Sequence, residues 1–139
     1  MILMINWSDI DTVLLDLDGT LLDLNFDNQF WLALVPMEYS KKHNIPIEKA
    51  KDIVYEQMNS IRGTLNWYCV DFWSDELDLN IIYLKKKLYH LIKVRPEADN
   101  FLIFLNKIDK NPVLVTNAHP KSIELKMAKT KISNKFKNI

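Results

Sequence analysis

The apolar run Thr12-Val13-Leu14-Leu15 stops abruptly at Asp16-Leu17-Asp18-Gly19-Thr20. Those four residues suit a buried strand, and the Asp-Gly pair behind them turns the chain. Residues i and i+2 of a strand point to one side, so Asp16 and Asp18 are expected to converge at the strand's C-terminal end. Open parallel α/β sheets place their ligands at that end. Two carboxylates there attract a hard divalent cation, normally Mg2+, which takes oxygen ligands and brings phosphate with it. They also allow divided labour, one acting as nucleophile and the other as acid and base.

Two plainer readings compete. Asp-Gly marks many ordinary turns, and Asp caps helices readily. A calcium loop is the other, but its spacing fails. Counting from Asp16, the sixth position is Leu21 where Gly is needed, and the twelfth is Asp27 where Glu is needed. An apolar run also precedes the acids, where a calcium loop has a helix.

A second apolar stretch, Asn111-Pro112-Val113-Leu114-Val115, ends in Thr116-Asn117-Ala118-His119-Pro120. Pro120 suits the first position of a following helix, whose N-terminus would face an anion. Asp16 and Thr116 lie 100 positions apart, and a structureless connection of that length is implausible inside a compact domain. The intervening periodicity is helical. Phe26, Phe30, Leu34 and Met37 share a face, as do Ile47, Ala50, Val54, Met58 and Ile61. Leu65, Tyr68, Cys69 and Phe72 follow a break at Gly63-Thr64, then Ile81, Leu84, Leu88 and Leu91. After Pro96 come Phe101, Leu102, Leu105 and Ile108. Lys85-Lys86-Lys87 reads as a solvated helix face.

Composition narrows the function classes. Eighteen basic and eighteen acidic residues cancel, so no global field recruits nucleic acid or an anionic membrane. No apolar run is long enough to span a bilayer, and Met1-Ile2-Leu3-Met4-Ile5 lacks the basic leader and cleavage site of a signal peptide. One cysteine, Cys69, rules out an intramolecular disulfide and fits a reducing, cytoplasmic setting.

The Asp16–Thr20 stretch resembles motif I (DxDGT) of the haloacid-dehalogenase-like (HAD) superfamily, and Asn111–Pro120 resembles its motif II. The resemblance implies an α/β fold: a partial Rossmannoid core of parallel strands from residues 1–23 and 96–139, with an all-helical C1 cap over 24–95. It implies that Asp16 attacks phosphorus to form an aspartyl-phosphate. Asp18 would protonate the leaving alkoxide and then activate water. Thr116 and the amide of Asn117 would hold the phosphoryl oxygens. Mg2+ would bind the Asp16 carboxylate and the Asp18 backbone carbonyl. Haloacid dehalogenases lack an acid at the Asp18 position, because halide leaves without a proton, so Asp18 favours phosphoryl transfer.

Three further phrases, Asp11–Asp16, Leu22–Asn28 and Thr64–Cys69, together with Thr116–Pro120, resemble the bacterial GMP/IMP 5′-nucleotidases of that superfamily. A purine nucleoside monophosphate is then the implied substrate, with Asn28, Asn66, Trp67 and His119 as candidate contacts. The plainer readings stand beside these: Trp67-Tyr68 as core aromatics and His119 as a helix-entry residue. Against the family pattern, only one acid, Glu124, follows Thr116. None of Lys121, Lys126, Lys129, Lys131, Lys135 and Lys137 sits in the context of a motif III lysine. The chain therefore reads as C-terminally truncated relative to the family, marginally stable and with little or no phosphatase activity of its own; complementation by a separately encoded C-terminal fragment is a variant of this reading. An inactive remnant serving as a binding module, and a sugar-phosphate phosphatase of the same superfamily, are the alternative readings.

Overall fold

Thr12–Leu15 extends as strand β1 and pairs in parallel with β2, Asn111–Leu114, in the computed structural model, which describes residues 5–136. The apolar start Met1–Met4 and Lys137 lie outside the described residues. Thr12 stands opposite Asn111 and Leu15 opposite Leu114, so the chain leaves both strands at the same end of the sheet. Pro112 lacks an N–H, yet β2 tolerates it. Asn111 and Val115 donate to Asp11 and Leu15 across the pair, and Pro112 falls at an alternate position that owes no bond to β1. One face of this sheet stays open: Leu14 is 67% exposed and Val115 53%.

Between the strands the chain is helical, as the periodicity predicts. Helix α1 (Asn25–Gln29) runs through a π-helical turn at Phe30–Leu34 into α2 (Val35–His43). Phe26, Phe30 and Leu34 are buried on the predicted face, while Met37 stays exposed. Asn44, left-handed at φ 50°, ends α2. There follow α3 (Ile47–Ser60), α4 (Val70–Leu77), α5 (Ile81–Lys87) and α6 (Ala98–Lys107), then β2 and α7 (Pro120–Thr130). Pro120 takes the first turn of α7, where its missing N–H costs nothing. Among the described residues, no helix is long and apolar enough to cross a membrane.

Apolar side chains gather in two clusters. One joins Leu15, Leu17, Leu21 and Phe26 to Leu102, Leu105 and Ile132 around the sheet. The other joins Phe30, Val54, Val70, Trp73, Leu77 and Ile81 among the intervening helices. Phe26 and Phe30 stack at 6.5 Å where the clusters meet. The intervening segment leaves and rejoins the strands through a narrow neck. Asp23 N–H donates to Lys93 O and Arg95 N–H to Leu21 O, each at 2.9 Å, around an antiparallel bridge between Leu22 and Val94.

The lysine run corrects one sequence expectation. Lys86 and Lys87 are solvated, but Lys85 is only 3% exposed. Three like charges in a row read as a surface face, yet α5 rotates each successive residue by about 100°. Lys85 thereby falls on the buried stripe with Ile81 and Leu84, against Phe26 and Phe30.

Candidate active site

The turn after β1 is locked by its own backbone. Leu17 O accepts from the N–H groups of Leu21 and Leu22, and Leu22 O accepts from Gly19 N–H, all at 2.9 Å. Gly19 adopts φ 81°, and a Cβ there would lie 3.2 Å from Leu24 Cδ1, so the turn requires glycine on both counts. Arg95 pins it from outside, its Nη1 donating to Gly19 O at 2.8 Å. Asp16 is exposed, with Oδ1 accepting the Leu17 N–H at 2.7 Å. Asp18 points inward.

Asp16 lies one residue beyond β1 and Thr116 two beyond β2, and the parallel register brings both turns to the same end of the sheet. The Thr116 hydroxyl accepts the Ala118 N–H at 3.1 Å, shaping the turn into α7. His119 caps that helix, Nδ1 accepting from Lys121 N–H at 3.3 Å. The helix-entry reading of His119 is met in this bond, and His119 also reaches Asp71 of α4, Nε2 to Oδ2 at 3.7 Å. Lys121 bonds the same carboxylate and holds its pKa below the ordinary carboxylate value.

The centre of the site is a chain of charge whose two lysines are buried and whose two carboxylates are partly so. Lys126 of α7, only 2% exposed, donates to Asp18 Oδ1 at 2.6 Å and to both carboxylate oxygens of Asp27, at 3.0 and 2.8 Å. Lys85 approaches Asp27 Oδ1 at 3.5 Å from the other side. Two ammonium groups and two carboxylates thus alternate, and each buried charge has an opposite neighbour. Burial raises the Asp18 carboxyl above its ordinary 3.8, Lys126 pulls it back, and Asp27 pushes it up again. Burial also pushes Lys85 down from 10.5 to about 8, against the attraction of Asp27.

A cavity of about 590 Å³ opens above these charges, within the range of small-molecule sites. Asp18, Ala118, His119, Ser122 and Lys126 form one wall. The facing helices supply Trp31, Tyr55, Met58, Asn59, Arg62, Trp67 and Trp73, with Asn28 and Asp27 between. Of the residues singled out from sequence, Asp18, Asn28, Trp67 and His119 line this cavity. Asp16, Thr116, Asn117 and Asn66 are not in its lining. Sequence reasoning missed Lys126, Asp27, Lys85 and Arg62. For Lys126 a signal existed: His119, Ser122 and Lys126 fall at i, i+3 and i+7, one face of the helix behind the Thr116 turn.

Asp16 and Asp18 are the residues that could hold a cation. Among the described residues no group of three His, Cys, Asp or Glu converges, and the Asp18 carboxylate is already committed to Lys126. The exposed Asp16 carboxylate keeps an oxygen open that would suit a hard cation such as Mg2+.

Residues 10–139 match the family model of the haloacid dehalogenase-like hydrolases. The chain is 41% identical over 126 residues to the GMP/IMP nucleotidase YrfG of Escherichia coli K12, and equally to that of Shigella flexneri. Each alignment covers 91% of this chain and 57% of the relative, so the chain spans a little over half the length of these curated relatives. The crystal structure of a HAD phosphatase from Thermococcus onnurineus superimposes with a TM-score of 0.80 at 24% identity, covering 93% of this chain and 60% of that one. That likeness extends to the mixed α/β architecture of parallel strands and helices. From the family match over nearly its whole length, the chain belongs to the haloacid dehalogenase-like hydrolases.

Proposed function

We propose that this chain carries the nucleophile and the substrate-selecting cap of a purine nucleoside 5′-monophosphate phosphatase. The observation that carries the reading is the position of Asp18. It stands in the wall of a cavity whose opposite side is aromatic, with Asp16 two residues earlier at the strand end. The helical segment 24–95 acts as the cap, and residues 1–23 with 96–139 as the phosphate-binding core. Likeness to GMP/IMP nucleotidases supports the choice of a purine nucleotide.

In this reading Asp16 attacks phosphorus, and a raised carboxyl pKa favours Asp18 as the proton donor to the leaving 5′-oxygen. Asp18 then takes a proton from the water that opens the aspartyl-phosphate. Thr116 and the Asn117 amide hold phosphoryl oxygens at the sheet end. Asp16 and the Asp18 carbonyl would hold Mg2+, which when bound would neutralise charge between nucleophile and phosphate. Trp67, Asn28 and His119 face the substrate, and Asn66 serves the turn that presents Trp67. Among the described residues few acids stand near Asp16, so weak cation binding and slow turnover are part of this reading. The setting is the cytoplasm, consistent with the single cysteine.

Phosphate release from IMP, set against a panel of sugar phosphates, tests the reading. IMP should be preferred, and Asp16→Asn should abolish its hydrolysis. Preference for a sugar phosphate, or turnover surviving in Asp16→Asn, would refute it. The commitment of Asp18 to Lys126 at 2.6 Å favours a second reading, a nucleotide-binding module. Tight IMP binding without hydrolysis would select that one.

A further inference from the structure

The wall of the cavity away from Asp18 carries a recognition chemistry of its own. Arg62 lies just beyond α3, its guanidinium carbon 6.0 Å from the centroid of the Trp67 ring. Both side chains line the cavity. Two neighbouring polar groups are committed elsewhere, the Tyr55 hydroxyl donating to Leu32 O at 2.8 Å and Trp73 Nε1 to Trp67 O at 2.9 Å, while the neutral Asn59 amide also lines the cavity. Among the described residues Arg62 has no carboxylate partner. A guanidinium offers N–H donors in a fixed fork and accepts nothing. Held against an aromatic ring, it keeps that fork available and loses little freedom when it binds.

We infer that Arg62, backed by Trp67, selects purines that carry a 6-oxo group over those that carry a 6-amino group. This rests on the nucleotide reading above. A 6-oxopurine presents O6 and N7 as adjacent acceptors, which the guanidinium fork matches with two parallel hydrogen bonds. A 6-aminopurine presents N7 beside an N–H2 donor, so one prong of the fork meets another donor. Amide side chains, which both donate and accept, match that second edge instead. Nothing at the Asp18 end of the cavity distinguishes the two bases, because both nucleotides place the same phosphate there.

Trp31, Trp67 and Trp73 all border the cavity, so tryptophan fluorescence reports nucleotide binding without requiring turnover. Titrating the full chain with IMP and with AMP should show IMP binding about tenfold more tightly, the scale of one charge-assisted hydrogen bond. Arg62→Leu should erase that difference, and Arg62→Gln should tilt it toward AMP. Arg62 is exposed, so both variants should keep the far-UV circular dichroism of the parent. Equal binding of IMP and AMP by the parent, or a preference that survives Arg62→Leu, overturns the assignment and leaves the nucleotide reading standing. If neither nucleotide binds, the nucleotide reading falls and the assignment with it.

Discussion

Lys85 should make this protein more stable as the solution becomes more alkaline. The ammonium lies among Phe26, Phe30 and Trp31, 4.6 Å from the Phe30 centroid, with Asp27 as its counter-charge at 3.5 Å. Its folded pKa is pushed down from 10.5 to about 8. Between those values the unfolded chain holds a proton that the folded chain has released, so stability rises with pH across that window. Below about pH 8 the full penalty is present. The fall in pKa corresponds to about 3 kcal/mol at 1.36 kcal/mol per pH unit. Cation–π attraction, about 0.5–2 kcal/mol in such settings, opposes it and favours the charged form. Lys85→Met keeps the length and a polarisable contact with the rings but removes the titration. At pH 7 the variant should be more stable than the parent by about 1–3 kcal/mol. Urea denaturation at half-unit steps from pH 7 to 9.5 should show that advantage shrinking above pH 8, since other titrations cancel in the difference. A difference that stays flat with pH, or a variant that is the less stable at pH 7, would show that the ammonium is not penalised by its burial.

Lys126→Met should act in the opposite direction, because it leaves Asp18 and Asp27 facing each other without their shared cation. A loss of about 3 kcal/mol at pH 7 is expected, recovering in acid as one carboxyl takes a proton; denaturation at pH 7 and pH 5 checks both parts. Asp18 itself has a raised folded pKa, so its contribution to stability should decline as pH rises from 3.8 through that raised value. Asp18→Asn should flatten that decline in the same assay. Gly19→Ala should cost about 1–3 kcal/mol, from the left-handed backbone and the 3.2 Å approach to Leu24. A thermal melt unchanged from the parent would show that the turn has slack.

The Asp16–Gly19 turn was legible because its chemistry is local: strand, acid, alternation and glycine all fall within eight consecutive residues. Helical periodicity likewise located the buried positions Phe26, Phe30, Leu34 and Val54. The charge chain was not legible, since Lys126 meets Asp18 across 108 positions and Asp27 across 99. Only the packing of α7 on the turn brings them together. Lys85 was misjudged for a related reason. A run of like charges advertises solvent, while helix rotation decides which member faces inward. The π-helical turn at Phe30–Leu34 gave no sign in the sequence, yet it interrupts the α-helical phase ahead of Met37, which stays outside.

The neck at Leu21–Asp23 and Lys93–Arg95 carries a consequence for how such a chain can change over time. With both crossings hydrogen-bonded to each other, the chain-entropy cost that the sheet side bears for whatever lies between them is that of a closed loop. Closing a loop costs about 0.6 kcal/mol more for each doubling of its length. A lineage can therefore lengthen or shorten the helices beyond the neck at little chain-entropy cost to the strands that carry Asp16, so long as Asp27 and Asp71 keep their pairings with Lys126 and Lys121. Selectivity and chemistry can then drift at different speeds, joined at a clasp three residues wide and at two ion pairs.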